Sequence, residues 1–306
     1  MPTELAFHHV TAVCSDEERT TEFYTAGLGM RLLRRTVNYD QTTMLEIQLG
    51  GSLGVPASII TFTVNPASPQ GVQGTGQISN LVFIVHAGTL EQWAELLARR
   101  DVDVTGFASS FGERCLCFSD PDGLSISLVE CDRGGHSAIA DKRLAIGKLK
   151  SVEFHLQGFE HTARFIREIL GFAQVDRQGA VTRFADTTTF GGPVIDLLSA
   201  PGHGRGTHGA GVATHVAFKV SDLQRLKMFR DRVVAFGLDV TPVLDRYYFK
   251  AIYFEIPCGV RVGLAADTSS GLILDDNPAG PSIVLPPWLE TQRSRIERRL
   301  GTMRPK

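Results

Sequence analysis

The chain has few cysteines, no long apolar run and almost no net charge, and each shortage removes a class of protein. Its five cysteines (Cys14, Cys115, Cys117, Cys131 and Cys258) are odd in number and form no CxxC pair. That fits neither a disulfide framework nor a cysteine-rich zinc site, and it points to reduced thiols in a cytoplasmic protein. Cys115 and Cys117 stand two apart in a stretch of strand character, so they share a face and read as small apolar packing. No segment approaches the roughly 20 apolar residues that span a bilayer. The opening MPTELAFHHV lacks the charged and apolar regions of a secretory signal. With 31 basic residues against 33 acidic, the formal charge is -2, so neither nucleic acid nor a membrane is an expected partner. What is there is ordinary for a globular chain: 306 residues, 43% hydrophobic and 21% charged, long enough for two cores.

The chain also repeats itself. GVQGTGQISNLVF at 71–83 aligns with GTHGAGVATHVAF at 206–218, so that Gly71, Gly74, Gly76 and Phe83 fall on Gly206, Gly209, Gly211 and Phe218 at an offset of 135. FSDPDGLSISL at 118–128 aligns with FEIPCGVRVGL at 254–264 at an offset of 136, matching Phe118, Pro121, Gly123 and Leu128 to Phe254, Pro257, Gly259 and Leu264. Phe23 and Gly29 likewise match Phe165 and Gly171. A tandem duplication follows, with domains at 1–140 and 146–285, a joint within Cys131–Lys148 and a tail at 286–306.

Each half reads as strand, helix and short strands, twice over. This predicts an α+β protein with curved mixed sheets rather than a doubly wound parallel one. Capping boxes predict helix starts at Ser15 with Glu18, Thr89 with Gln92, and Ser221 with Gln224. The glycine clusters at 71–76 and 202–211 precede strands instead of opening helices, so they read as flexible connections and not as phosphate loops. The tail, from Pro286-Pro287-Trp288-Leu289, predicts a proline-started helix whose Leu289, Ile296 and Leu300 pack on the body.

Strand alternation sorts the candidate site residues. In Phe7–Ala12, His8 shares the apolar face of Val10 and Ala12, while His9 and Thr11 lie opposite. In Ala213–Val220, Thr214 shares the apolar face and His215 does not. In Val260–Ala265, Arg261, Gly263 and Ala265 form the less apolar face. The repeat partners of His9, His215 and Gly263 are Lys150, Asn80 and Ser127, so the duplication builds two equivalent cavities and only one keeps histidines. Two imidazoles at repeat-related positions point to a metal pair.

The segments FHHVTAV, FYTAGLGMRLLRRTVNYD, DPDGLSISLVE, THVAF, PVLDRYYFKAIYFEIPCGV and LPPWLE resemble the hydroquinone-type ring-cleaving dioxygenases of the vicinal-oxygen-chelate (glyoxalase-like) superfamily, from about residue 6 to 300. The resemblance implies four βαβββ modules in tandem pairs, two to each half. It also implies a mononuclear Fe(II) or Mn(II) on two histidines and a glutamate, with O2 and a small aromatic hydroquinone or catechol as reactants. By this resemblance His9 and His215 are the metal ligands, and His8, Thr11, Arg246 and Tyr253 surround them in catalytic roles.

The glutamate falls on Gly263, which has no donor to offer. Glu46, where the family has histidine, is the candidate substitute ligand. Arg261 replaces an apolar residue and Thr214 a histidine, and both are expected at the substrate. Three functions follow: an extradiol-type dioxygenase at a divergent two-histidine metal site, a metal-independent enzyme using His9, His215 and Tyr253 in acid-base work, or a non-catalytic binder of an aromatic ligand. A homo-oligomer is compatible with each.

Overall fold

A computed structural model describes residues 5–51, 57–131, 144–268 and 282–301, so most of the expected joint between the halves, 132–143, lies outside the described residues. Four βαβββ modules follow one another, as the α+β reading expects. The first holds β1 (Ala6–Cys14), α1 (Glu17–Glu22), β2 (Arg31–Val37), β3 (Leu45–Gly50) and β4 (Ile59–Val64). The second holds β5 (Gln77–His86), α2 (Leu90–Ala98), β6 (Val104–Ser110), β7 (Glu113–Ser119) and β8 (Ser125–Cys131). The third holds β9 (Leu149–Leu156), α3 (Glu160–Phe165), β10 (Ala173–Gln178), β11 (Val181–Ala185) and β12 (Val194–Ser199). The fourth holds β13 (Ala213–Lys219), α4 (Leu223–Phe236), β14 (Leu244–Asp245), β15 (Phe249–Glu255) and β16 (Arg261–Asp267). Among the described residues no helix is long and apolar enough to cross a membrane.

The modules pair crosswise. Strands β2-β3-β4-β1 continue into β13-β16-β15-β14, so the first and last modules share one curved half of the sheet. Strands β10-β11-β12-β9 continue into β5-β8-β7-β6 in the other half, and β5 meets β13 between them. Helices cover the sheet through short apolar stripes. Helix α4 buries Leu226, Phe229 and Val233 at three- and four-residue spacing and ends at Gly237, whose φ of 97° suits a residue without a Cβ.

Two expected helix starts move by one residue. Asp16 and Asp222 cap α1 and α4, each accepting from a backbone N–H three residues on, that of Arg19 and Arg225. A carboxylate is favoured at the positive end of a helix, and Ser15 is engaged elsewhere, donating its hydroxyl to Asp122 at 2.6 Å. Thr89 does begin α2, but Glu130 of β8 accepts the Thr89 and Leu90 N–H groups in its place. The expected tail helix is two helices, α5 (Pro287–Glu290) and α6 (Arg293–Gly301). Leu289 and Ile296 are buried with Val37 and Leu285, and Trp288 stands edge-on to Tyr39 and Tyr247.

The glycine clusters are not merely flexible connections. They cross each other in a pseudo-twofold contact, with Val72 and Thr207 exchanging backbone hydrogen bonds at 3.3 and 2.9 Å. A Cβ on Gly74 would lie 2.5 Å from the Gly206 nitrogen, and one on Gly209 would lie 2.3 Å from the Pro69 oxygen. The glycines are therefore there for close backbone approach.

Buried Asp122 accepts from the Ser15 amide, the Ser15 hydroxyl and Arg19, tying the start of α1 to the turn before β8. Asp122→Ala is expected to destabilise the protein by roughly 3 kcal/mol in chemical denaturation, because three donors lose a charged acceptor. A loss under about 0.5 kcal/mol would show that water replaces the carboxylate.

Candidate active site

The site forms where β1 pairs with β13, and two one-residue bulges shape it. Along β1, Phe7 pairs with Phe218 and His9 with Ala217, which leaves His8 as an extra residue. Along β13, His215 pairs with Thr11 and Ala213 with Ala12, which leaves Thr214 as the extra residue. A bulge turns a side chain that alternation would send to the other face. His8 and Thr214, expected on the apolar face, therefore line the same cavity as His9, Thr11 and His215. Arg246, Tyr253, Arg261 and Glu46 complete the set of expected residues around this cavity of about 200 Å³.

The histidines form a chain. His8 Nε2 lies 3.1 Å from Asp267 Oδ1, His8 Nδ1 lies 2.7 Å from His9 Nδ1, and His9 Nε2 lies 3.2 Å from His215 Nε2. A carboxylate only accepts, so the proton of a neutral His8 sits on Nε2 and its Nδ1 accepts. The proton of the next contact then sits on His9 Nδ1, which leaves the His9 Nε2 lone pair directed at His215. Phe249 flanks both His8 and His9, at ring separations of 4.7 and 5.5 Å.

Burial is the main cause keeping both inner histidines uncharged. The pKa of His9 lies well below the usual imidazole value, through burial and then the charges of His8, His215 and Arg246. That of His215 falls to about 3, through burial and then the charges of Arg261 and Arg246. Arg246 is held by Asp40 through two bonds of 2.9 and 2.7 Å. Burial raises the Tyr253 phenol pKa against the opposing pull of Arg246, so the hydroxyl keeps its proton at neutral pH. Burial likewise raises the pKa of Glu46, whose Oε1 accepts from Asn38 at 2.8 Å.

The His9 and His215 Nε2 atoms, 3.2 Å apart, would suit a shared cation with the His215 proton on Nδ1, since two metal–nitrogen bonds of about 2.1 Å at near right angles span roughly 3 Å. Gly263, where the resemblance expects a third donor, is closely packed. Gly263 pairs directly with Tyr253 on β15 and Ala217 on β13. A Cβ there would meet Tyr253 Cε1 at 3.1 Å and Ala217 Cβ at 3.2 Å. The tyrosine ring thus packs over Gly263. Among the described residues no three His, Cys, Asp or Glu side chains converge to hold a metal. The residues present fit a two-histidine site rather than a three-donor one.

Sequence reasoning missed Asp267, setting it aside as too far along its strand. Its contact is with His8, which in turn contacts His9. The available signal was β16 alternation, which carries the face of Arg261, Gly263 and Ala265 on to Asp267. Asp40 was also missed, and no local pattern marks it, because its partner Arg246 is 206 residues away.

The family model described as Glyoxalase/Bleomycin resistance protein/Dioxygenase superfamily matches residues 6–128 and 152–264. The chain is 32% identical over 302 residues to a Bacillus subtilis (strain 168) protein named "Putative ring-cleaving dioxygenase MhqE", covering 97% of this chain and 98% of that one. It is 28% identical to the chlorohydroquinone/hydroquinone 1,2-dioxygenase of Sphingobium indicum, over 96% and 95% of the two chains. A crystal structure described as a "putative dioxygenase from Bacillus subtilis subsp. subtilis str. 168" superposes with a TM-score of 0.88 at 31% identity, covering 96% of each chain. Glyoxalase I of Zea mays, at 18% identity and a TM-score of 0.65 over 86% of this chain and 92% of that one, shares the fold.

Two outcomes are expected. Asp267→Asn should weaken Mn(II) binding, read by calorimetry, by about 10- to 100-fold, the usual effect of losing a partner that orients a ligand; unchanged affinity would remove the relay from the site. Gly263→Glu should cost roughly 1–3 kcal/mol by overpacking, and Gly263→Glu with Tyr253→Ala should bind Mn(II) more tightly than either single variant. Equal affinity of the double variant and Gly263→Glu would mean that the ring is no obstacle.

Proposed function

Since the chain belongs to the glyoxalase/bleomycin resistance protein/dioxygenase superfamily, we propose that it is an extradiol-type ring-cleaving dioxygenase acting on a hydroquinone, catechol or related phenol, with His9 and His215 as metal ligands. The supporting observation is the His9–His215 nitrogen pair, 3.2 Å apart and electrically neutral. Bound there, Fe(II) or Mn(II) supplies charge stabilisation for a phenolate and an electron path between the ring and O2. Because Gly263 offers no donor, His9 and His215 would hold the metal, with Glu46 at the cavity wall as the candidate further ligand.

The chain's own groups suit a phenolic ring. An apolar cavity of roughly 150 Å³ takes up benzene, so about 200 Å³ admits one substituted ring. Tyr253 keeps a proton to donate to a substrate oxygen. His8, anchored by Asp267, accepts from His9 and holds its tautomer. Arg246, clamped by Asp40, orients the Tyr253 hydroxyl. Thr11 and Thr214 brace the seam, the Thr214 hydroxyl donating to the Thr11 carbonyl at 3.1 Å.

A second reading has its own observation. The ring over Gly263 closes the place of a carboxylate ligand, which favours metal-independent acid-base chemistry by His9, His215 and Tyr253. O2 uptake with hydroquinone by protein loaded with Fe(II) or Mn(II) separates the two. The first reading expects uptake that chelation abolishes and that His9→Ala or His215→Ala lowers at least about a hundredfold. Turnover that survives chelation would support the second. Binding without turnover under either condition would overturn both in favour of a binding protein.

A further inference from the structure

We propose that the substrate is an anionic phenol, a dihydroxy aromatic ring carrying one carboxylate, and that Arg261 holds the carboxylate. This deepens the catalytic reading above and rests on it for the identity of the ring. Arg261 opens β16 at the cavity wall, with its guanidinium carbon 5.1 Å from the Tyr253 ring centroid. Among the described residues it has no hydrogen bond and no ion pair. Glu255, its cross-strand neighbour, makes no ion pair with it.

The other charges of the cavity are accounted for. Arg246 is neutralised by Asp40 through two hydrogen bonds. Glu46 is bound to Asn38 and shifted towards its protonated form by burial.

One solvent-exposed positive charge at the cavity rim therefore has no ion-pair partner among the described residues. It stands two residues along the same strand face from Gly263, where an acidic side chain would have balanced it. A guanidinium presents a planar fork of donors that matches a carboxylate in two parallel bonds. A ring with one small planar acid group also fits the available volume.

The test compares binding of 2,5-dihydroxybenzoate and hydroquinone by calorimetry in oxygen-free buffer, for the full chain and its Arg261→Gln and Arg261→Lys variants. Thermal melts confirm folding. The expected result is at least about tenfold tighter binding of the carboxylate by the unaltered protein. That preference should shrink to within about threefold in Arg261→Gln, stay intermediate in Arg261→Lys, and weaken as salt rises to about 0.5 M. Equal affinity for the two compounds in the unaltered protein, or a preference that survives Arg261→Gln, would overturn the proposal. Binding is read without O2, so absent turnover would count against the catalytic reading alone. Turnover of hydroquinone with no carboxylate preference would count against this one alone.

Discussion

The seam between β1 and β13 is the constraint on which the site depends. These strands come from opposite ends of the chain, and their antiparallel pairing is what brings His9 and His215 together. A regular ladder would alternate His8 away from His9 and Thr214 away from His215. One extra residue on each strand breaks that alternation twice within six positions. Neighbouring side chains then enter the same cavity, and Asp267 can grip His9 through His8 rather than contact it. Any change that restored a regular register here would leave the sheet intact and dismantle the histidine chain.

Electrostatically, the cavity keeps unprotonated nitrogen next to fixed positive charge. Burial alone lowers an imidazole pKa, because desolvation disfavours the charged form. Arg246 and Arg261 add to it, and Asp40 and Asp267 are placed so that neither neutralises the histidine pair directly. Asp40 is spent on Arg246. Asp267, its pKa lowered to about 2 chiefly by the hydrogen bond with His8, is shared between His8 and Lys219. The outcome is a pair of imidazoles whose pKa values both lie below the usual value, that of His215 at about 3, so both are uncharged at neutral pH.

Much of this was legible in the sequence, for physical reasons that also mark where legibility stops. The duplication, the α+β modules and the two histidines rest on local periodicity and on self-similarity, both written directly in the chain. The position of Gly263 was readable because Pro257, Gly259 and Leu264 fix its register. The bulges were not, since nothing in FHHVTAV announces that His8 is the unpaired residue; that is decided by the partner strand some 200 residues on. The ring of Tyr253 over Gly263 is of the same kind, a cross-strand neighbour relation that only register reveals. The helix caps slipped because Ser15-Asp16 and Ser221-Asp222 each offer two caps, and the tertiary demand of Asp122 on Ser15 settles the first choice.

The duplicated half of the sheet supplies a control within the same molecule. There the repeat partners of the histidine-site residues are locked together. Lys150 and Arg183 share Glu113, Arg183 grips Asp196 through two bonds of 2.8 Å, and Asn80 donates to Ser127 at 3.0 Å. The same architecture is closed there by mutually paired charges. The histidine half leaves Arg261 without a counter-ion and two neutral nitrogens facing each other. One fold has thus been finished in two ways: paired charges occupy one cavity, and the other keeps a guanidinium without an ion-pair partner beside two uncharged imidazoles.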